Sequence, residues 1–317
     1  MSCAAGRCGT LGRAGLLLAV MAAAACAPLP PRPPTLSADL AVGAVPFHPQ
    51  REHECGPAAL AMLLGARGVA VAPAALVPLL IVPERAGTLQ PELLAQARRR
   101  GFIAQAIAPD LAALGAELAA GRPVLVLKND GLAWYPVWHY AVVIGYDASR
   151  DALLLHSGVS ARLAQPRRSF ESTWARSGRW GFVLLAPGEL PVGTDAPAHA
   201  RALAAFDASG GTPAQARVAW QAARRQWPTR WEFAFGLGNR LAADGETAAA
   251  IEALATATTL DPAQAAAWNN LANAYLDAGR WDEALAAAQA AAARSSAPEV
   301  IATLREARCR REPCAAE

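Results

Sequence analysis

Residues 50–57, QREHECGP, and residues 139–146, HYAVVIGY, are the two stretches that decide the fold of this chain. The first runs directly into an apolar segment rich in Ala and Leu, which predicts a buried helix that begins near Cys55. Pro57 fits the first turn of such a helix, because no intrahelical donor is lost there. The second stretch begins with His139 and continues as a Val-rich strand.

The same two stretches supply the side chains of a cysteine-nucleophile hydrolase. Cys55 would be the nucleophile, and its position at a helix N-terminus favours the thiolate, so we expect its pKa to be lowered. His139 would act first as general base and then as general acid. Gln50 would direct its side-chain amide at the developing oxyanion, beside the Cys55 backbone N–H.

These motifs resemble the C39-type bacterial cysteine peptidases, which are papain-like and include the double-glycine leader peptidases. The resemblance covers roughly residues 44–190 and rests on the Gln, the Cys-Gly-Pro and the later His-Tyr-Ala-Val-Val-Ile-Gly-Tyr. It implies an α+β papain-like fold, with Gln50, Cys55 and His139 as the catalytic residues. The chain also resembles a subgroup of bacterial lipoproteins in which this domain is followed by tetratricopeptide repeats.

One position departs from the family pattern. The family has an Asp or Asn at the end of the strand after the His strand, where it orients the imidazole, and this chain has His156 followed by Ser157. Neither residue offers a fixed negative charge. The alternatives are a triad with His156 as third member, Ser157 in that role, a working dyad, or an inactive enzyme.

Other functions remain open on the sequence alone. An inactive peptidase fold would bind peptides or partners as a scaffold, and an acyltransferase or amidase would use the same nucleophile on a cell-wall substrate. Cys55 with nearby histidines does not follow a zinc-binding spacing, so the sequence indicates no metal site and no cofactor. The net charge of +3 without a basic stripe gives no reason to expect nucleic acid as a partner.

The first residues have the pattern of a lipoprotein signal peptide, assigned to residues 1–25. Arg7 and Arg13 precede a short apolar run, and Cys26 follows a row of alanines. We expect Cys26 to be lipidated, and residues 26–43, which are rich in Pro, to form an extended tether. This predicts a lipid-anchored protein of the bacterial cell envelope, retained at the outer membrane and facing the periplasm.

The second half of the chain is rich in Ala and periodic at about 34 residues, which is typical of tetratricopeptide repeats. Gly245 and Gly279 occupy equivalent interhelical turns of two good copies, and a degenerate copy precedes them. Such repeats stack into an all-α solenoid that binds peptides or protein partners. The sequence thus predicts a peptidase domain at residues 44–190, a linker at 191–200, repeats at 201–296 and a capping helix with a tail at 297–317.

Cys309 and Cys314 lie close enough in sequence to form a disulfide in an oxidising periplasm.

Overall fold

The computed structural model describes residues 36–51, 53–82 and 87–312. The predicted signal peptide, the lipidation site Cys26 and the predicted disulfide partner Cys314 lie outside these residues. Within them, an antiparallel sheet carries helices on both faces and leads into a run of further helices.

The sheet of the described region contains seven strands, in the order β4-β9-β5-β6-β7-β8, with β1 added beside β6. A separate two-stranded sheet is formed by β2 and β3. The strands are β1 Leu40–Ala41, β2 Ile81–Val82, β3 Gly87–Thr88, β4 Ile103–Ala106, β5 Val124–Asn129, β6 Trp138–Asp147, β7 Ala152–Ser157, β8 Ser160–Pro166 and β9 Gly181–Leu185.

The central strands are apolar on both faces, so both faces must be covered. One face packs against α1 (Cys55–Ala66), α2 (Pro73–Leu80) and α3 (Gln90–Arg98). Helix α1 is buried along nearly its whole length, because it lies between the sheet and the neighbouring helices. An apolar surface on all sides suits such a position.

The opposite face packs against α4 (Leu111–Ala119), α5 (Arg167–Ala175) and the first two helices of the C-terminal half, α6 (Ala196–Ser209) and α7 (Pro213–Gln226). Helix α6 begins at Ala196, inside the segment predicted as a linker, because Asp195 caps its first turn by accepting a hydrogen bond from the Ala198 N–H.

The junction between the sheet and the repeats is a shared apolar core. Leu203 and Phe206 of α6 and Trp220 of α7 are buried in the same cluster as strand residues of β4 and β9. At the same junction, His199 Nδ1 and Gln105 Oε1 lie 2.7 Å apart, and both residues are fully or almost fully buried. The first helix pair therefore belongs physically to the core of the N-terminal domain.

The remaining helices form the rest of the solenoid. They are α8 Trp231–Ala243, α9 Thr247–Leu260, α10 Ala265–Asp277, α11 Trp281–Ala292 and α12 Pro298–Arg311. Helix pairs α6/α7, α8/α9 and α10/α11 correspond to the three copies expected from the period, and α12 packs on α11 at the end. Small residues let the helices approach closely, and Gly238 leaves room for the Leu254 side chain.

The shared core predicts that a cavity in α6 weakens the sheet. Replacing the fully buried Phe206 with Ala should lower the free energy of unfolding by about 3 kcal/mol, because a large buried ring is removed. Hydrogen exchange should show loss of protection in β4 and β9. Leu271→Ala, in the core of the distal repeats, is the matched control and should weaken α10 and α11 while β4 and β9 keep their protection. Equal loss of protection in both variants would contradict a junction-specific effect.

Candidate active site

Cys55 is the first residue of α1, as the sequence predicted. The backbone N–H groups at the start of a helix lack intrahelical partners and favour an anion there. Burial raises the pKa of the Cys55 thiol, and hydrogen bonds to it from the backbone of Tyr140 and Gly56 act in the opposite direction. The contact with Tyr140 joins the start of α1 to the start of β6, where His139 stands.

Gly56 allows this close arrangement. A Cβ atom at position 56 would lie 2.4 Å from Oγ1 of Thr88 in β3, which is too close for any side chain. The Tyr140 hydroxyl donates a hydrogen bond of 3.2 Å to the Thr88 carbonyl and holds β3 against β6. Glycine after the nucleophile is therefore required by packing.

His139 is the second residue of β6 and is partly buried. A hydrogen bond of 2.9 Å joins its Nε2 to Oγ of Ser157 on β7. Lys128 is its Cα partner across the β5–β6 pair, and residues directly opposite each other share a face of the sheet. The Lys128 ammonium is buried and lies near Asp130 and Gln165. The sequence analysis did not single out Lys128 as a residue of the site.

His156 does not contact His139, which corrects the predicted orienting role. Successive residues of a strand point to opposite faces, so His156 and Ser157 cannot both face His139. The Nε2 of His156 lies 3.2 Å from the Val45 carbonyl, its Nδ1 accepts a hydrogen bond from the Arg162 N–H, and its ring packs on Phe47. Ser157, the predicted alternative, occupies the position beside the imidazole.

Gln50 lines the same cleft as the candidate nucleophile and is hydrogen-bonded to β6 and to the turn between β7 and β8. Its Nε2 donates to the Tyr140 carbonyl at 3.2 Å, and its Oε1 accepts from the Gly158 N–H at 3.1 Å. The Gln50 backbone N–H also donates to the Gly158 carbonyl. These bonds fix the plane of the amide and leave one of its two N–H groups for another acceptor.

A cleft of about 790 Å³ brings the predicted residues together. It is open to solvent, and Cys55, His139 and Gln50 all line it, whereas His156 does not. In the described residues, the hydrogen bonds of Cys55 and His139 go to other partners and none joins the two side chains. Catalytic hydrogen bonds of ligand-free enzymes are often completed only when substrate binds. The other lining residues are Arg51, His53, Gly87, Thr88, Leu89, Gln90, Leu127, Trp138, Tyr140, Gly158, Arg176 and Ser177.

The electrostatics of the cleft favour a neutral pair. Burial raises the pKa of the Cys55 thiol, and the backbone hydrogen bonds only partly offset this effect. Burial lowers the pKa of His139, the Lys128 ammonium lowers it further, and Asp130 opposes both. The expected lowering of the thiol pKa is therefore reversed, because desolvation outweighs the helix N-terminus. Both shifts favour a thiol and a neutral imidazole in the ligand-free site.

No cluster of metal-ligating side chains occurs in the described part of the chain. Cys309 lies on α12, and Cys314, its predicted disulfide partner, lies outside the described residues. None of the helices in the described ranges combines the length and apolar character that a membrane crossing requires.

Lys128 and Asp130 shift the pKa of His139 in opposite directions, so removing each charge should have the opposite effect on that pKa. Replacing Lys128 with Gln removes a positive charge that disfavours the imidazolium, so the pKa of His139 should rise. Asp130→Asn is the matched control and should lower it. An NMR titration of the imidazole protons measures both shifts. If the pKa of His139 moved in the same direction in both variants, the assigned effects of Lys128 and Asp130 on the imidazole would be wrong.

Comparison with known proteins supports the division into two parts. Residues 45–178 match the model of the peptidase C39 family, and residues 238–279 match a TPR repeat model. No curated protein matches the sequence at a significant level.

Solved structures with detectable similarity include one described as a C39-like peptidase and others that align with the repeat half. A protein described as a C39-like peptidase from Bacillus anthracis is 17% identical, with a TM-score of 0.42, over 49% of this chain and 100% of that one. The type III secretion chaperone SycD of Yersinia enterocolitica, in complex with a YopD peptide, is 21% identical with a TM-score of 0.34, over 38% of this chain and 97% of that one. The TPR2B domain of yeast Sti1 is 19% identical with a TM-score of 0.32, over 36% of this chain and 93% of that one. By the family models, residues 45–178 of this chain are similar to the C39 peptidases, and residues 238–279 are similar to a tetratricopeptide repeat.

Proposed function

We propose that this protein is a cysteine peptidase of the bacterial cell envelope. The observation that carries the proposal is the cleft in which Cys55, His139 and Gln50 meet. A nucleophile at a helix start, a base at a strand start and an amide beside them are the components of acyl transfer through a thioester.

The reaction begins with a neutral pair. His139 takes the Cys55 proton as the sulfur forms a bond with the peptide carbonyl carbon, and Nδ1 is the ring nitrogen left for this transfer because Nε2 faces Ser157. The Cys55 N–H and the uncommitted N–H of Gln50 stabilise the oxyanion. The C–N bond breaks as His139 passes its proton to the leaving amine. Water then attacks the thioester and gives a proton to His139. The C–S bond breaks, the acid leaves, and His139 returns the proton to the sulfur of Cys55.

Ser157 is the positioning residue for the imidazole in this scheme. Its hydroxyl fixes one ring nitrogen but cannot stabilise an imidazolium as a carboxylate does. The Lys128 ammonium also disfavours that imidazolium. We therefore expect a slower reaction than a carboxylate-assisted pair would give.

The repeats would recruit the substrate or a protein partner. A second cleft of about 630 Å³ lies between α6 and α8 and is lined by Trp231, Phe235 and Asn239 together with Arg201 and Arg240. Aromatic and amide side chains of this kind suit a peptide with apolar side chains and a hydrogen-bonding backbone.

An inactive scaffold is the second candidate, and the raised pKa of Cys55 together with the neutral partner of His139 favours it. The peptidase fold would then hold a peptide in the cleft without cutting it. Activity of defined variants separates the two functions.

The peptidase proposal predicts an order among variants in a peptide-cleavage assay. Cys55→Ala should abolish cleavage, because the nucleophile is lost. Ser157→Ala should lower kcat by about tenfold with little change in KM, since only the orientation of the base is affected. His156→Gln is the matched control on the opposite face of β7 and should keep most of the activity, with folding checked by circular dichroism. Cleavage that survives Cys55→Ala would disprove the proposed nucleophile, and a larger loss in His156→Gln than in Ser157→Ala would contradict the assigned orientation.

Lipid anchoring through Cys26 is part of the proposal and rests on the sequence of the first 26 residues. Cys26→Ser should abolish incorporation of labelled palmitate and move the protein from the membrane fraction to the soluble fraction. Cys3→Ser is the matched control and should change neither. Membrane association that persists without Cys26 would contradict this anchor.

A further inference from the structure

The turn between β5 and β6 exposes an unusual group of large apolar side chains. Trp134 is 80% exposed and Tyr135 is 68% exposed, and the others in this group are Leu132, Val137 and Trp138. Apolar residues scattered singly over a surface are common, but a contiguous group of this size marks an interaction site. We name residues 130–137 the hairpin tip, and Trp138 follows it as the first residue of β6.

The hairpin tip is held in one shape by hydrogen bonds. The Asn129 carboxamide is almost fully buried; its Oδ1 accepts from the Gly131 and Val137 N–H groups, and its Nδ2 donates to the Leu132 carbonyl. Leu132 and Tyr135 also exchange backbone hydrogen bonds, and the Asp130 N–H donates to the Val137 carbonyl. A preorganised surface loses little conformational entropy when a ligand binds.

The hairpin tip is continuous with the candidate active site. Trp138 lines the cleft and directly precedes His139. Arg176, another lining residue, donates a hydrogen bond to the Asn129 carbonyl and so connects the cleft wall to the base of the tip. A peptide bound in the cleft across His139 would therefore contact the hairpin tip where it leaves the cleft.

The chemistry of the tip selects for apolar ligands. Asp130, at the base of the hairpin tip, is its one charged residue, and residues 131–138 carry none. The nearby cleft wall adds Leu89 and Leu127. Trp and Tyr offer large rigid faces that bind apolar side chains at low entropic cost. Continuity with the cleft favours a peptide over other apolar occupants.

We propose that the hairpin tip is a substrate-binding surface that selects peptides with apolar side chains next to the bond held at Cys55. This inference rests on the proposed function, whose substrate class it names. The tip binds the apolar part of the peptide, and His139 lies where the same peptide enters the cleft.

The test compares two fluorogenic peptides of equal length and charge, one with Leu and Phe beside the cleavable bond and one with Ser and Gln there. The wild type should have at least about tenfold lower KM for the apolar peptide, which corresponds to the burial of one or two aromatic faces. The double variant Trp134→Ser/Tyr135→Ser should lose this preference. Ile301→Ser, an exposed apolar residue on α12, is the matched control and should keep it.

Binding without turnover separates this inference from the peptidase proposal. In a Cys55→Ala background, the fluorescence anisotropy of dye-labelled versions of both peptides should show the same preference and the same loss in the tip variant. If the wild type cleaves neither peptide, these binding data still decide the inference. Equal binding of both peptides, or an unchanged preference in the tip variant, would overturn it.

A membrane is the main competing occupant of the tip. Sedimentation with vesicles of phosphatidylethanolamine and phosphatidylglycerol, using the full chain with and without the tip substitutions, measures this directly. We expect equal vesicle binding by the two proteins. Vesicle binding that is lost in the tip variant, with peptide preference unchanged, would assign the tip to the lipid surface and reject the peptide.

Discussion

The pairing of β5 with β6 is the constraint on which the site depends. This antiparallel pair places Lys128 opposite His139, brings the Tyr140 backbone to the Cys55 thiol, and ends in the exposed hairpin tip. Helices cover both faces of the sheet and bury Lys128, so its charge acts on the partly buried imidazole with less screening than in bulk water. Burial raises the pKa of the Cys55 thiol and lowers the pKa of His139, and both shifts favour the neutral pair.

This electrostatic setting determines what kind of catalyst the site can be. A thiolate stabilised before substrate arrives would need either a lowered thiol pKa or a positive imidazole, and the surroundings oppose both. In the proposed mechanism the proton therefore moves during attack, with His139 as base and Ser157 fixing its ring. The proposed enzyme would react more slowly than one with a preformed thiolate, and its neutral thiol would be less susceptible to oxidation.

The sequence predicted the elements with strong local signals. Cys-Gly-Pro before an apolar run located the start of α1, because the helix signal is local, and the tight contact of Gly56 with Thr88 explains the glycine. The 34-residue period likewise predicted the repeat helices. His156 was assigned to the wrong contact, because the face of a strand residue depends on register, which a short apolar run does not reveal. Lys128 and the shared core of α6 with the sheet were missed for a related reason, since both arise from contacts between residues distant in sequence.

Trapping of an acyl-enzyme tests the central claim most directly. A peptide nitrophenyl ester is used as substrate because nitrophenol leaves more easily than an amine. The reaction is stopped by rapid acidification, and mass spectrometry of the whole protein and of its proteolytic peptides locates any acyl group. The account predicts one acyl group on Cys55, formed with a burst of nitrophenol whose rate falls when His139 is replaced by Ala. A correctly folded protein that forms no adduct at Cys55, or forms it equally fast without His139, would contradict a Cys55–His139 peptidase site.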